Sequence, residues 1–240
     1  MKNSQIRGRK ERINQLQIKT GYIDKISISR AKPPFLQTSP DISGNGIEKI
    51  LISEKLIAKR IKSLASQISL DYKNNHELTV LVVLKGAFVF ASDLIREIHS
   101  AGHLNVKLEF IAVTTYGNQI KKSGEDKRGV KILLEPENIS GKDLLIVEDI
   151  IDQGFTLSAI REYLLKSKKA KSVSTCVLLE KDLINPSKEV SELRKNYNCD
   201  YIGFKIADQW VAGYGTDAAG DLRHLPFIVV VNEKYYTKKI

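Results

Sequence analysis

Short apolar runs separated by segments of helical period dominate the chain. Leu78 to Leu84 (LTVLVVL), Asn105 to Thr115, Val130 to Leu134, Leu144 to Val147 and Ser172 to Leu179 have the length and content of strands. Apart from Thr79, both odd and even positions of Leu78 to Leu84 and Leu144 to Val147 are apolar, as expected of strands covered by helices on both faces. Behind a capping Ser53, Ile57, Ile61, Leu64 and Ile68 share one helical face, predicting a helix to about Leu70. Phe90, Ala91, Leu94, Ile95 and Ile98 mark a second helix that stops at Gly102, and a third runs from about Thr156 to Lys168. Strand alternating with helix predicts an α/β fold, an open twisted, mainly parallel sheet flanked by helices. Its ligand crevice should lie at the carboxyl ends of the strands. After Glu180 only short apolar pieces remain, Tyr201 to Ile206, Val211 to Tyr214 and Pro226 to Val231. A small C-terminal hood formed mainly by residues 181–240 is therefore expected, rather than another βαβ unit. The polar stretch from Tyr116 to Gly129 has the length of a functional lid.

Composition adds bounds to this picture. With 240 residues and 42% hydrophobic content, the chain suits one domain, residues 46–240, preceded by an extension. Residues 1–45 lack steady periodicity and contain Pro33, Pro34, Pro40 and a turn-rich Ser43 to Gly46, so a flexible arm is expected. That arm carries nine Lys and Arg against Glu11, Asp24 and Asp41, a surplus of +6 within the chain's net +10. The remaining +4 is a modest surplus, whereas a nucleic-acid binder usually presents a clustered basic face, so no nucleic-acid partner is expected. No apolar run is long enough to cross a membrane, and the first residues lack the apolar core of a secretory signal. A cytoplasmic location follows as the expectation, with organelle targeting by the basic arm as the alternative. Cys176 and Cys199 read as reduced thiols, and the four histidines show no zinc-ligand spacing.

The chemistry concentrates where the Leu144 to Val147 strand runs into Glu148, Asp149, Ile150, Ile151, Asp152, Gln153, Gly154, Phe155 and Thr156. Read alone, this is a strand end followed by a helix start, with Asp152 as a helix cap. The string also suits a ligand that bears both a phosphate and a sugar. Backbone N–H groups from Asp152 to Thr156, with Gly154 free to adopt positive φ, can line an anion site. Glu148 and Asp149 can hydrogen-bond sugar hydroxyls or hold a hard cation.

This string closely resembles the 5-phosphoribosyl-1-pyrophosphate (PRPP) signature of the type I phosphoribosyltransferases, and its third aspartate resembles the hypoxanthine-guanine branch. Three further stretches extend the resemblance over about residues 47–232. Leu84-Lys85-Gly86 is similar to the family's pyrophosphate loop, and Lys181 stands where the family places a lysine against the purine 6-oxo group. In FKIADQWVAGYGTDAAGDLRHLPFI, the resemblance implies that Trp210 stacks on the base and that the Val211 backbone reads its edge. Asp217 would be associated with Mg2+, and Arg223 would bind pyrophosphate. Thr115 and Tyr116 resemble the start of a mobile catalytic loop. Gln153 departs from the pattern, which usually has a hydroxyl residue there.

The implied activity is Mg2+-dependent transfer of the 5-phosphoribosyl group from PRPP to hypoxanthine or guanine. It implies a metal site at Glu148, Asp149 and Asp217, with Asp152 as general base, and a homo-oligomer, dimer or tetramer. The alternatives are a transferase preferring xanthine and guanine and a PRPP-sensing, nucleic-acid-binding regulator. Asp152 and Lys181 weigh against the regulator, since sensing needs neither a general base nor a purine-reading cation.

Overall fold

The computed structural model describes residues 46–75, 77–102, 104–115, 130–232 and 234. The expected arm of residues 1–45 and the loop 116–129 lie outside the described residues. In chain order the elements are β1 (Ile47–Ile52), α1 (Glu54–Asp71), β2 (Leu78–Leu84), α2 (Phe88–Gly102), β3 (Val106–Thr115), β4 (Val130–Leu134) and β5 (Asp143–Ile151). They continue with α3 (Phe155–Lys166), β6 (Ser172–Asp182), α4 (Lys188–Asn196), β7 (Tyr201–Ala207), β8 (Val211–Ala212) and β9 (Ile228–Val231). None of the described helices is long and apolar enough to cross a membrane.

The main sheet has six strands in the order β4-β3-β2-β5-β6-β7, parallel throughout except at the β3–β4 pair. Alternation along β2 and β5 divides the core. Val80, Val82, Leu145 and Val147 pack on one side with Ile61, Leu64 and Ile68 of α1 and Phe90 and Leu94 of α2. Leu81, Val83, Leu144 and Ile146 pack on the other with Leu157, Ile160 and Leu164 of α3. Two apolar faces per strand are thus the direct imprint of a covered parallel sheet.

Three expectations need correction. First, Tyr201 to Ile206 is no part of the hood: it is β7, parallel to β6, with Leu179 opposite Phe204 and Lys181 opposite Ile206. The pattern hid this βαβ unit because β7 is an edge strand with an exposed Lys205, and its crossover helix α4 buries only Val190. Arg60 of α1 ties β7 down by donating to the Gly203 carbonyl at 2.8 Å and to that of Ile202 at 2.5 Å.

Second, the hood expected mainly from residues 181–240 also takes in a strand from the start of the domain. It is a three-stranded antiparallel sheet ordered β1-β9-β8, in which Ile47 pairs with Val231 and Ile52 with Ile228. The hood therefore takes one strand from the beginning of the domain and two from its end, a pairing without any local sequence signature. Third, β5 continues past Val147 to Ile151, because Ile150 and Ile151 pair with Leu179 and Glu180 of β6. Glu148 and Asp149 consequently sit on a hydrogen-bonded strand rather than in a loop.

Both cysteines are free: Cys176 is buried in the core and Cys199 is half-buried.

Candidate active site

Beyond Ile151 the chain turns through Asp152 and Gln153 into Gly154, whose φ of 92° lies in the left-handed region. Gly154 itself caps α3, and its carbonyl accepts from Ser158 N at 3.0 Å. The capping role open to Asp152 in the sequence is therefore taken, and the Asp152 side chain is left 55% exposed, free to meet a ligand. Helix N-terminal N–H groups lack intrahelical acceptors, so Phe155 and Thr156 open α3 as an anion cradle.

Gln153, Gly154, Phe155 and Thr156 line one wall of a cleft of about 730 Å3, together with Glu148, Asp149, Asp152, Gly86, Asp217 and Arg223. The sequence-predicted phosphate loop, carboxylate pair, pyrophosphate loop and hood residues thus share one cavity. Burial, and then the neighbouring charge of Asp149, push the Glu148 carboxyl well up from its ordinary range.

Part of the lining depends on close backbone approach. A Cβ on Gly86 would stand 2.1 Å from Asp149 Oδ2, so only glycine admits the carboxylate there. Above it, a Cβ on Gly215 of the hood would stand 2.1 Å from the Gly86 carbonyl oxygen, and Gly215 has φ +101°. Gly215→Ala is expected to combine left-handed strain with overpacking worth roughly 1–3 kcal/mol. A lowered thermal midpoint would show it; an unchanged midpoint would mean that the Gly86 loop shifts freely.

Arg223 donates to the Gly215 carbonyl at 2.7 Å and pairs with Asp217 at 2.5 Å, while Asp217 accepts from Gly220 N at 2.7 Å. Lys85 is exposed at the end of β2 and does not itself line the cleft. Among the described residues, Glu148, Asp149 and Asp217 do not converge into a metal-holding group of three. As hard oxygen donors on one cleft they fit Mg2+ in its usual mode, in which one or two carboxylates are supplemented by substrate phosphates and water.

Lys181 lies within β6, not beyond it, and its side chain is only 12% exposed. Its Nζ stands 3.5 Å from Asp152 Oδ2 and 3.7 Å from Asp208 Oδ1. Sequence reading missed Asp208, which also accepts from Ile184 N at 3.2 Å. Its only signal was its position two residues before Trp210. Trp210 is half-buried against the hood core and Val211 is buried in β8; neither, like Lys181, lines this cleft itself. Thr115 ends β3, and Tyr116 lies outside the described residues.

A helix N-terminus, a carboxylate pair and a glycine-lined loop at the carboxyl ends of a parallel sheet form a cleft suited to a ligand that carries both phosphate and sugar. The phosphoribosyl transferase domain model matches residues 48–219. The chain is 39% identical over 191 residues to the hypoxanthine-guanine phosphoribosyltransferase of Bacillus subtilis, covering 79% of this chain and 96% of that one. It is 41% identical over 182 residues to the hypoxanthine phosphoribosyltransferase of Escherichia coli, covering 75% and 93%. A crystal structure of a Bacillus anthracis hypoxanthine-guanine phosphoribosyltransferase superposes with a TM-score of 0.65 at 38% identity, covering 78% of this chain and 99% of that one. The chain belongs to the phosphoribosyltransferase family, in its hypoxanthine-guanine branch.

Proposed function

We propose that the protein transfers the 5-phosphoribosyl group of PRPP to hypoxanthine or guanine in purine salvage, forming IMP or GMP and releasing pyrophosphate. The observation that carries this reading is the approach of Lys181 Nζ to within 3.5 Å of Asp152 at the lip of the anion cradle. A carboxylate that can take the imidazole proton thereby stands beside a cation that can donate to a 6-oxo group.

In this reading the N–H groups opening α3 hold the 5′-phosphate, while Glu148 and Asp149 orient the ribose hydroxyls. Lys85 and Arg223 balance charge developing on the departing pyrophosphate. Mg2+, held by carboxylates of the Glu148, Asp149 and Asp217 set and by PRPP, would add Lewis-acid stabilisation to that leaving group. Asp152 accepts the purine proton as the base attacks the anomeric carbon. Trp210 offers an aromatic face for the base, and the backbone of Val211 is placed to read its edge.

The test is pyrophosphate release with PRPP, Mg2+ and each of hypoxanthine, guanine and xanthine. Efficient turnover of the first two supports the proposal, and turnover confined to xanthine and guanine would replace it with the related activity. Gln153→Thr is expected to lower the PRPP Michaelis constant while leaving the purine constant nearly unchanged, because a hydroxyl bonded to a charged group contributes about 1.5–3 kcal/mol at most. A higher PRPP constant in the variant would mean that the glutamine amide already makes this contact.

A further inference from the structure

Helix α4 is polar along most of its length and buries only Val190, yet one of its charged side chains turns inward. Arg194 Nη1 donates to the backbone carbonyl of Asp152 at 3.0 Å. Its Nη2 donates to the backbone carbonyl of Lys181 at 2.9 Å and to Glu180 Oε1 at 3.0 Å. The side chains of Arg194 and Glu180 are only 20% and 17% exposed. Behind the fork, Arg194 Cδ lies 3.5 Å from the place a Gly154 Cβ would occupy, so the aliphatic stem floors the phosphate loop.

Asp152 follows β5 and Lys181 belongs to β6, and past Ile151 opposite Glu180 no further backbone pairing joins the two strands. Where the ladder stops, one guanidinium spans the gap. We infer that Arg194 is a positioning residue, holding the backbones of Asp152 and Lys181 at the spacing that lets both side chains engage one purine. The inference rests on the roles proposed above for Asp152 and Lys181. A planar fork with several donors is what the task requires, since two carbonyls and a carboxylate must be met in fixed directions. A lysine ammonium could keep the Glu180 ion pair but not the three directions. Glu180 in turn keeps the guanidinium from swinging out to solvent, and Lys205 stands 3.5 Å from its other oxygen. Arg194 reaches the chemistry only through these two backbones.

The experiment compares Arg194→Ala and Arg194→Lys with the parent in thermal melting and in catalytic efficiency toward hypoxanthine and adenine at saturating PRPP. Small misplacements of reacting groups can lower rates by roughly 100-fold, so hypoxanthine efficiency should fall about 10- to 100-fold in the alanine variant. The preference for hypoxanthine over adenine should narrow at the same time, because a loosened Lys181 reads the base less strictly. Arg194→Lys should melt near the parent temperature and retain most of the kinetic loss. Free guanidinium at low millimolar concentration should restore part of the activity of Arg194→Ala and none to Arg194→Lys.

Parent-like efficiency and preference in Arg194→Lys would overturn the inference, because the fork would then be dispensable. A lowered melting temperature with unchanged base preference in both variants would overturn it too, leaving Arg194 a packing role only. A parent that does not discriminate against adenine removes the Lys181 role on which the inference rests, and is recognised before any Arg194 variant is compared. Should the alanine variant fail to fold, the lysine variant alone decides.

Discussion

Adenine is expected to be used roughly 10,000-fold less efficiently than hypoxanthine, because Lys181 supplies only hydrogen-bond donors. Hypoxanthine and guanine present a 6-oxo acceptor to it; adenine presents an amino donor. The Lys181 side chain is only 12% exposed, so water cannot readily take the place of the missing acceptor. Asp152 and Asp208 lie 3.5 and 3.7 Å from its Nζ, and these two carboxylates hold the ammonium in place when the base arrives. With adenine an amino donor would face the ammonium donor with no acceptor between them, and that mismatch is what makes discrimination large. Catalytic efficiencies for hypoxanthine, guanine, xanthine and adenine, in the parent and in Lys181→Ala, measure the effect. The variant should lose most of the preference by losing the 6-oxopurines. Adenine use within tenfold of hypoxanthine in the parent would remove the 6-oxopurine reading while leaving a PRPP-dependent transferase standing.

Asp152→Asn is expected to lower turnover by roughly 100- to 10,000-fold, the range for a positioned general base. The substitution keeps the size of the side chain and its ability to accept a hydrogen bond, but not its ability to take a proton. PRPP affinity should survive, since the cradle is formed by the N–H groups after Gly154 and the cap of α3 is Gly154, not Asp152. Single-turnover rates with hypoxanthine isolate the chemical step. A rate above half the parent value under those conditions would assign the proton to another acceptor.

The two predictions draw on different kinds of information. The anion cradle was legible because its parts are contiguous: an apolar strand, two carboxylates, a spacer and a glycine before a helix. Gly154 takes the positive φ that its place in the string implied. The partner of Asp152 was less legible. Lys181 was located through resemblance, and Asp208 carried no pattern of its own that would mark it as the second carboxylate at 3.7 Å. Arg194 was invisible for a physical reason: a charged residue on a polar helix has the composition of a solvated surface, and only the tertiary fold turns it toward the carbonyls of Asp152 and Lys181.

The sequence by itself determined the covered parallel sheet, since apolar residues on both faces of β2 and β5 are stable only between helices. It also determined the glycine turn into α3, whose conformation is local to a few consecutive residues. Only the tertiary structure decided that β1 completes the hood beside β9, that β7 belongs to the main sheet, and that Gly215 rests on the Gly86 carbonyl. These are pairings between residues far apart in the chain. Hydrophobic period and turn chemistry report on neighbours within a few residues, whereas strand partners and the inward turn of one guanidinium are settled by which surfaces meet when the chain closes on itself.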